Sequence, residues 1–234
     1  MIDELRRDAN FALQSQRGSE HREMLRAEAE RAAVPVLTDL RQSGFAVESV
    51  ADLYVEKLDY KEAVPVLLHW LPRISNSDVK QSIVRALSVR WAKPTAAAPL
   101  IKEFRAASDP RGNGIKWAIA NTLSVVADDG VVESIVSLVR DKQHGKSREM
   151  LALALANMRC ETVLPVLVEL LEDKQVAGHA VIALGKLKAK GVRPLIEPFL
   201  QHKEAWVRRE AKKALAKIDK ESEQIAILKA PGTH

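Results

Sequence analysis

Apolar positions recur along this chain with helical spacing, and the pattern is clearest between Leu164 and Ile218. There a segment LPVLVELLEDKQVAGHAVIALGKL, from Leu164 to Leu187, is answered by RPLIEPFLQHKEAWVRREAKKALAKI, from Arg193 to Ile218. Each opens on a proline within an apolar turn (Pro165, Pro194), runs through one amphipathic stripe, pauses at a polar loop and closes on a second stripe. In the second stripe of the last copy, Val207, Ala211, Ala214, Leu215 and Ile218 fall at i, i+4, i+7, i+8 and i+11. That is one face of an α-helix.

Anchoring this second helix, helix B, on a leucine extends the register backwards through Leu184, Leu155, Leu123 and Leu87, at spacings of 31, 29, 32 and 36 residues. Ile115, Ile119, Thr122 and Val126 fill the core positions of one copy, Ser147, Leu151, Ala154 and Met158 those of the next, and Val176, Ala180, Ala183 and Leu187 those of the one after. A weaker copy passes through Val47, Ala51, Val55 and Leu58. The first helix of each pair, helix A, is expected to start near Pro35, Pro65, Pro99, Glu133, Pro165 and Pro194, because proline in a first turn forfeits no hydrogen bond. Pro198 and Pro72 fall inside or at the end of such helices and should kink or stop them. Residues 1–33 predict one or two charged helices, broken near Gly18 and Ser19, that cap the array; residues 221–234 predict a partly flexible tail.

A period near 30 residues with two helices per period predicts an all-α fold, a right-handed α-solenoid of about six hairpins over residues 34–220. The runs LPVLVELLED, VRREAKKALAKI and AVIALGKL resemble HEAT repeats, and among these the short HEAT-like units of the phycobilisome lyase group. The resemblance covers roughly residues 34–218 and implies a scaffold or adaptor that binds a protein partner. It is also similar to the HEAT-like alkylpurine DNA glycosylases, which would imply nucleic-acid binding, and to bilin lyases, which would imply a lyase-like or chaperone-like role. HEAT arrays host all of these, so the motif specifies fold more than function.

Composition narrows the field. Aromatic residues make up 4% of 234 residues, too few for a β core, while 47% are hydrophobic. No apolar run approaches the roughly 20 residues of a membrane span, no apolar leader opens the chain, and Cys160 is the only cysteine. These features predict a soluble, cytoplasmic protein. The net charge of +5 is concentrated late: Lys174 to Lys220 holds twelve Lys or Arg against four Asp or Glu. A field of one sign there would draw an acidic partner.

The sequence predicts no catalytic residues, no metal site and no cofactor. The six histidines include no HExxH and no His-Glu dipeptide, so the paired ligands of HEAT-like di-iron hydroxylases are missing, and no Cys/His spacing suits zinc. His69 and His179 read as ordinary helix residues. Gly145-Lys146-Ser147 resembles the end of a P-loop, but position 140 is Arg and no strand precedes it; Gly112 and Gly114 read as turn glycines.

Two constellations remain. One base follows the first core residue of helix B in four copies, Lys80, Lys116, Arg148 and Arg208, with Ala177 interrupting the row and with Asp78, Asp109, Asp141 and Glu204 nearby. Internal bracing of the A–B loops by these acids and bases is the favoured reading, because charge rows are usually paired. The second is the face of the last helix carrying Trp206, Arg209, Lys213 and Lys217 at spacings of three and four, with Trp117 at the register position of Arg209 in an earlier copy. An indole beside three cations suits an acidic peptide or nucleic acid. A polar cap closing the array would have the same composition.

Overall fold

The computed structural model describes the backbone of residues 2–229 and the side-chain environments of residues 15–220. Twelve α-helices joined by short 3-10 turns, and no strand, make up the described residues. The chain divides into two compact units, Met1–Ala86 and Leu87–His234.

In the first unit, α1 (Ile2–Gln42) is one unbroken helix. A break near Gly18 was expected, but a lone helical glycine costs only about 1 kcal/mol, and i,i+4 contacts such as Gln16 to Glu20 and Arg26 to Glu30 support the helix around it. Pro35 lies inside α1 and does not start a helix. The intrahelical bond it forfeits is offset downstream, where Val36, Leu37 and Leu40 are buried. The boundary expected at residues 33 and 34 is therefore crossed by continuous helix.

The weak copy through Val47 and Val55 collapses to a single turn, α2 (Asp52–Val55). Asp52 explains the late start: its carboxylate accepts from the Glu48 and Ser49 amides and from Ser49 Oγ, fixing the preceding residues as a turn. Lys57 at φ 54° then ends the helix. Val55 consequently faces solvent at 67% exposure, and Leu53 takes the core position. Beyond it, α3 (Val64–Trp70) starts at Pro65 and stops before Pro72, and pairs in sequence with α4 (Ser77–Ala86). The buried Tyr60 hydroxyl donates to the Ala86 carbonyl.

The second unit is a series of helix pairs. The A helices are α5 (Ala97–Ala106), α7 (Val132–Arg140), α9 (Val163–Glu169) and α11 (Arg193–Ile196). The B helices are α6 (Ile115–Val126), α8 (Ser147–Leu155), α10 (Ala177–Leu187) and α12 (Ala205–Lys229). They pack in series, α6 on α8, α8 on α10, α10 on α12. At Pro198 the A helix tightens into a 3-10 turn, Glu197–Gln201, as a missing donor requires. The anchors Leu123, Leu155 and Leu184 are fully buried and Leu215 nearly so. Residues 221–229, expected to begin a tail, continue α12; residues 230–234 lie outside the described residues.

Side chains cap the A–B loops in a repeated manner. Asp109 accepts from the amides of Gly112, Gly114 and Lys116, Asp141 from that of Gln143, and Asp173 from that of Gln175. In the last loop His202 Nδ1 takes this role towards the Glu204 amide. Loops 108–114 and 141–146 also join through backbone, the Lys146 amide donating to the Arg111 carbonyl. Gly112 (φ +61°) and Gly145 (φ +52°) make that approach possible: a Cβ on Gly112 would stand 2.0 Å from the His144 oxygen, and one on Gly145 2.4 Å from the Arg111 oxygen.

Basic side chains enter this layer. Arg148, 2% exposed, donates to the Val139 carbonyl at 2.6 Å and to Asp173 of the following loop at 2.7 Å. Burial raises the Asp173 carboxyl, but hydrogen bonds from Arg148 and the Gln175 amide, with the Arg148 charge, hold it below its ordinary value. Lys116, 7% exposed, meets His144 Nδ1 at 3.3 Å and lies over the Phe104 ring. Arg208 donates to the carbonyls of His202 and Lys203. Lys80 is part-buried on α4, Asp78 and Glu204 are exposed, and Asp141 lies 3.5 Å from His144 Nε2.

Two predictions follow from the loops. Gly112→Ala and Gly145→Ala each press a methyl onto backbone that cannot yield, so urea denaturation should show a loss of about 2–4 kcal/mol. Gly191→Ala, at φ +74° with open space around it, should cost only about 1 kcal/mol. Arg148→Met should cost about 3 kcal/mol at pH 7, because it strands Asp173. Since Asp173 titrates lower folded than unfolded, its contribution is complete above the unfolded value of about 3.9 and lost as pH falls through the folded one. The gap between wild type and Arg148→Met should accordingly shrink below about pH 4 in acid denaturation.

Candidate functional site

The face of α12 predicted from spacing is exposed in the structure. Arg209, Lys213 and Lys217 are solvent-accessible, and Trp206 is 37% exposed. Trp206 is held from beneath: its ring lies where a Cβ on Gly178 would stand 2.4 Å from Cη2, and it packs 5.3 Å from the His179 ring. The missing side chain at Gly178 is what lets the indole bridge from α12 onto α10. The six-membered end of the ring is seated on Gly178, and the residue as a whole keeps 37% of its surface exposed.

Arg209 and Lys213 share one carboxylate, Glu210, at 3.6 and 2.8 Å. The hydrogen bond from Lys213 is the main reason the Glu210 carboxyl lies below its ordinary value. Two cations on one acid leave surplus positive charge, and exposed pairs of this kind are worth only about 0–1 kcal/mol. An incoming carboxylate could therefore exchange for Glu210 at little cost.

Behind Trp206 is a pair the sequence reading did not anticipate. His179 Nε2 lies 3.8 Å from Glu149 on α8, and His179 Nδ1 is buried without a hydrogen-bond partner. Burial lowers the His179 value and raises that of Glu149, so burial favours the uncharged form of each. The signal was present in the register: Trp117, Glu149, Gly178 and Arg209 occupy the same position of successive B helices. The structure does not bring Trp117 to Trp206, because α8 and α10 stand between α6 and α12; Trp117 is part-buried on α6.

At the opposite end of the row, Lys186 on α10 was also missed. Its Nζ donates to Asn157 Oδ1 at 2.7 Å, and Asn157 Nδ2 donates to the Ser124 carbonyl, so a side-chain bridge crosses three B helices. Burial first, then the charges of Lys93, Arg90 and Lys217, push the Lys186 ammonium below its ordinary value.

Among the described residues no cluster of His, Cys, Asp and Glu could hold a metal ion, and no helix is long and apolar enough to cross a membrane. Gly145-Lys146-Ser147 lies between a 3-10 turn and α8, with Ser147 Oγ bonded to the His144 carbonyl.

Comparison with known families agrees with this geometry. Residues 164–230 match the HEAT repeats model and residues 147–173 the PBS lyase HEAT-like repeat model. No curated protein matches the chain. The matched stretch begins at the first residue of α8 and takes in α9, α10, α11 and α12, and residues 147–230 thus carry HEAT repeats, among them a PBS lyase HEAT-like repeat.

Proposed function

We propose that this protein is a non-catalytic interaction module, an adaptor or scaffold that holds an acidic protein partner against its B-helix row. HEAT arrays commonly serve protein recognition, because serial packing leaves an extended row of helix surfaces open. The observation that carries the reading is the α12 stripe: Trp206 braced on Gly178 with its outer edge exposed, and Arg209, Lys213 and Lys217 in line beside it. A rigid indole with flanking cations is the composition of an interface anchor. Trp117 holds the register position of Arg209 three B helices away and would meet a partner long enough to span α8 and α10.

Lys116, Arg148 and Arg208 are assigned to bracing the A–B loops, since their polar atoms already face protein carbonyls, a carboxylate or an imidazole. Asp141 and Glu204 belong to the same layer by register, and Lys80 and Asp78 hold the corresponding register positions in the first unit.

A protein partner is favoured over nucleic acid because carboxylates interrupt the row. Glu210 sits between Arg209 and Lys213, and Glu149 lies on α8, whereas a phosphate backbone favours an uninterrupted basic track.

The reading predicts that a fluorescein-labelled octaglutamate peptide binds at low salt by fluorescence anisotropy. Arg209→Glu with Lys213→Glu should weaken it at least tenfold while moving stability by no more than about 0.5 kcal/mol, both positions being exposed. Tighter binding of duplex DNA with a steep salt dependence would favour the nucleic-acid reading instead.

A further inference from the structure

We propose that the acidic partner of α12 is a second copy of this chain, which receives the basic outer face of α12 in a cleft of its own first unit. This rests on the interaction reading above and names the partner.

The cleft arises where the apolar stripe of α1 outruns its cover. Ala29, Ala33, Leu37 and Leu40 recur at three and four residues and share one face of α1. Leu37 and Leu40 are buried, whereas Ala29 and Ala33 in the preceding turns stay part-exposed. Side chains that small leave space between α1 and Val47, Val50 and Val79, and an open cleft of about 880 Å³ results.

Its floor is apolar and its walls are acidic. Glu30, Glu48, Asp52, Glu56 and Asp78 line it against one base, Arg26. Arg26 is paired with Glu30 at 3.0 Å, and Asp52 is committed to the amides of Glu48 and Ser49. Glu48, Glu56 and Asp78 are exposed and enter no ion pair among the described residues. Uncompensated carboxylates around an apolar floor suit a basic guest with some apolar surface.

The matching surface is the end of the B-helix row. On α10, a Cβ at Gly178 would meet Trp206 and Val207 of α12, and one at Gly185 would meet Ala214. Gly178, Val181 and Gly185 thus mark the face of a B helix that the next one covers. Their register counterparts on α12 are Arg209, Lys212 and Ala216, all exposed, with Lys213 alongside. Where α10 offers glycine and valine to a following helix, α12 offers cations. A further repeat packed through small apolar residues is disfavoured there, and an acid-lined groove is matched. Ala29 to Leu37 rises about 12 Å along α1 and Arg209 to Lys217 about 12 Å along α12, so the surfaces agree in length as well as in sign.

The test measures self-association of the full chain by sedimentation velocity at low salt. Wild type should associate as concentration rises and dissociate in high salt, because exposed charges carry the contact. Glu48→Lys with Glu56→Lys should weaken association at least tenfold, and so should Arg209→Glu with Lys212→Glu. Mixed together, these two charge-reversed proteins should associate again, since one keeps the basic face and the other keeps the cleft; two misfolded proteins would not. Glu133→Lys with Glu161→Lys, which reverses exposed acids elsewhere, should change association less than twofold. Wild type that stays monomeric up to about 1 mM while binding octaglutamate overturns the second-copy assignment and leaves the interaction reading standing. A monomeric wild type whose cleft binds labelled octalysine overturns it in favour of another basic partner. Association that survives both reversals overturns the cleft as its seat. Absence of both self-association and octaglutamate binding overturns the two readings together.

Discussion

The second unit depends on a shared seam. None of its helix pairs can bury its apolar stripe alone; each B helix packs on its own A helix and completes its burial against the neighbouring B helices, α6 to α8 to α10 to α12. Each fully buried anchor leucine contributes about 1.5–3 kcal/mol, and alanines beside it let the helices come close. Ala120, Ala152, Ala154, Ala180, Ala183 and Ala211 are all fully buried. A seam built of small residues is unforgiving in register, because a shift of one position would place Lys212 where Ala211 packs and the larger Leu155, Val181 and Leu184 where Ala154, Ala180 and Ala183 pack. This explains why the A–B loops are tied so heavily: they set the register that the seam requires.

The ties show how a cation can enter a solenoid at tolerable cost. A buried charge needs partners on every donor that loses water. Arg148 finds them in Val139 of its own pair and Asp173 of the next, so one side chain spans the joint between two repeats. Lys116, at the same register position one repeat earlier, meets His144 in place of an aspartate. Burial, with Lys116 next, lowers the His144 value, which favours the neutral imidazole whose Nδ1 faces the ammonium. The same position thus solves one problem with two chemistries, carboxylate in one joint and imidazole in the other.

How much of this was legible in the sequence follows from which interactions are local. Leucine register and A-helix prolines report on helix faces and first turns, and they located every B helix of the second unit. The base row was visible too, but not the partner of Arg148: Asp141 is nearer in sequence, and only the stacking of one loop over the next delivers Asp173. Competing local interactions, with burial beside Pro35, decided the failures. Gly18 and Pro35 carry breaking propensities that neighbouring helix overrode, and Val55 matched a register that the Asp52 turn before α2 displaced. At the candidate surface, the Trp206 stripe is a single-helix pattern and was readable. The seat beneath it needs Gly178 and His179 from α10, with Glu149 of α8 against His179, and those join the picture only when helices are placed side by side.

Because the seam and the loop ties are internal, the outer B-helix positions are released from structural duty, and their charges can be read differently. A lysine at an outer position that served stability would be expected to face a carboxylate on the next helix, since that is the arrangement the loop layer uses wherever an acid is within reach. Lys186 instead faces an amide that is itself pinned to a backbone carbonyl, and three further cations bear on it. Repulsion of that kind gives nothing to the folded chain alone; like charges reduce stability unless something neutralises them.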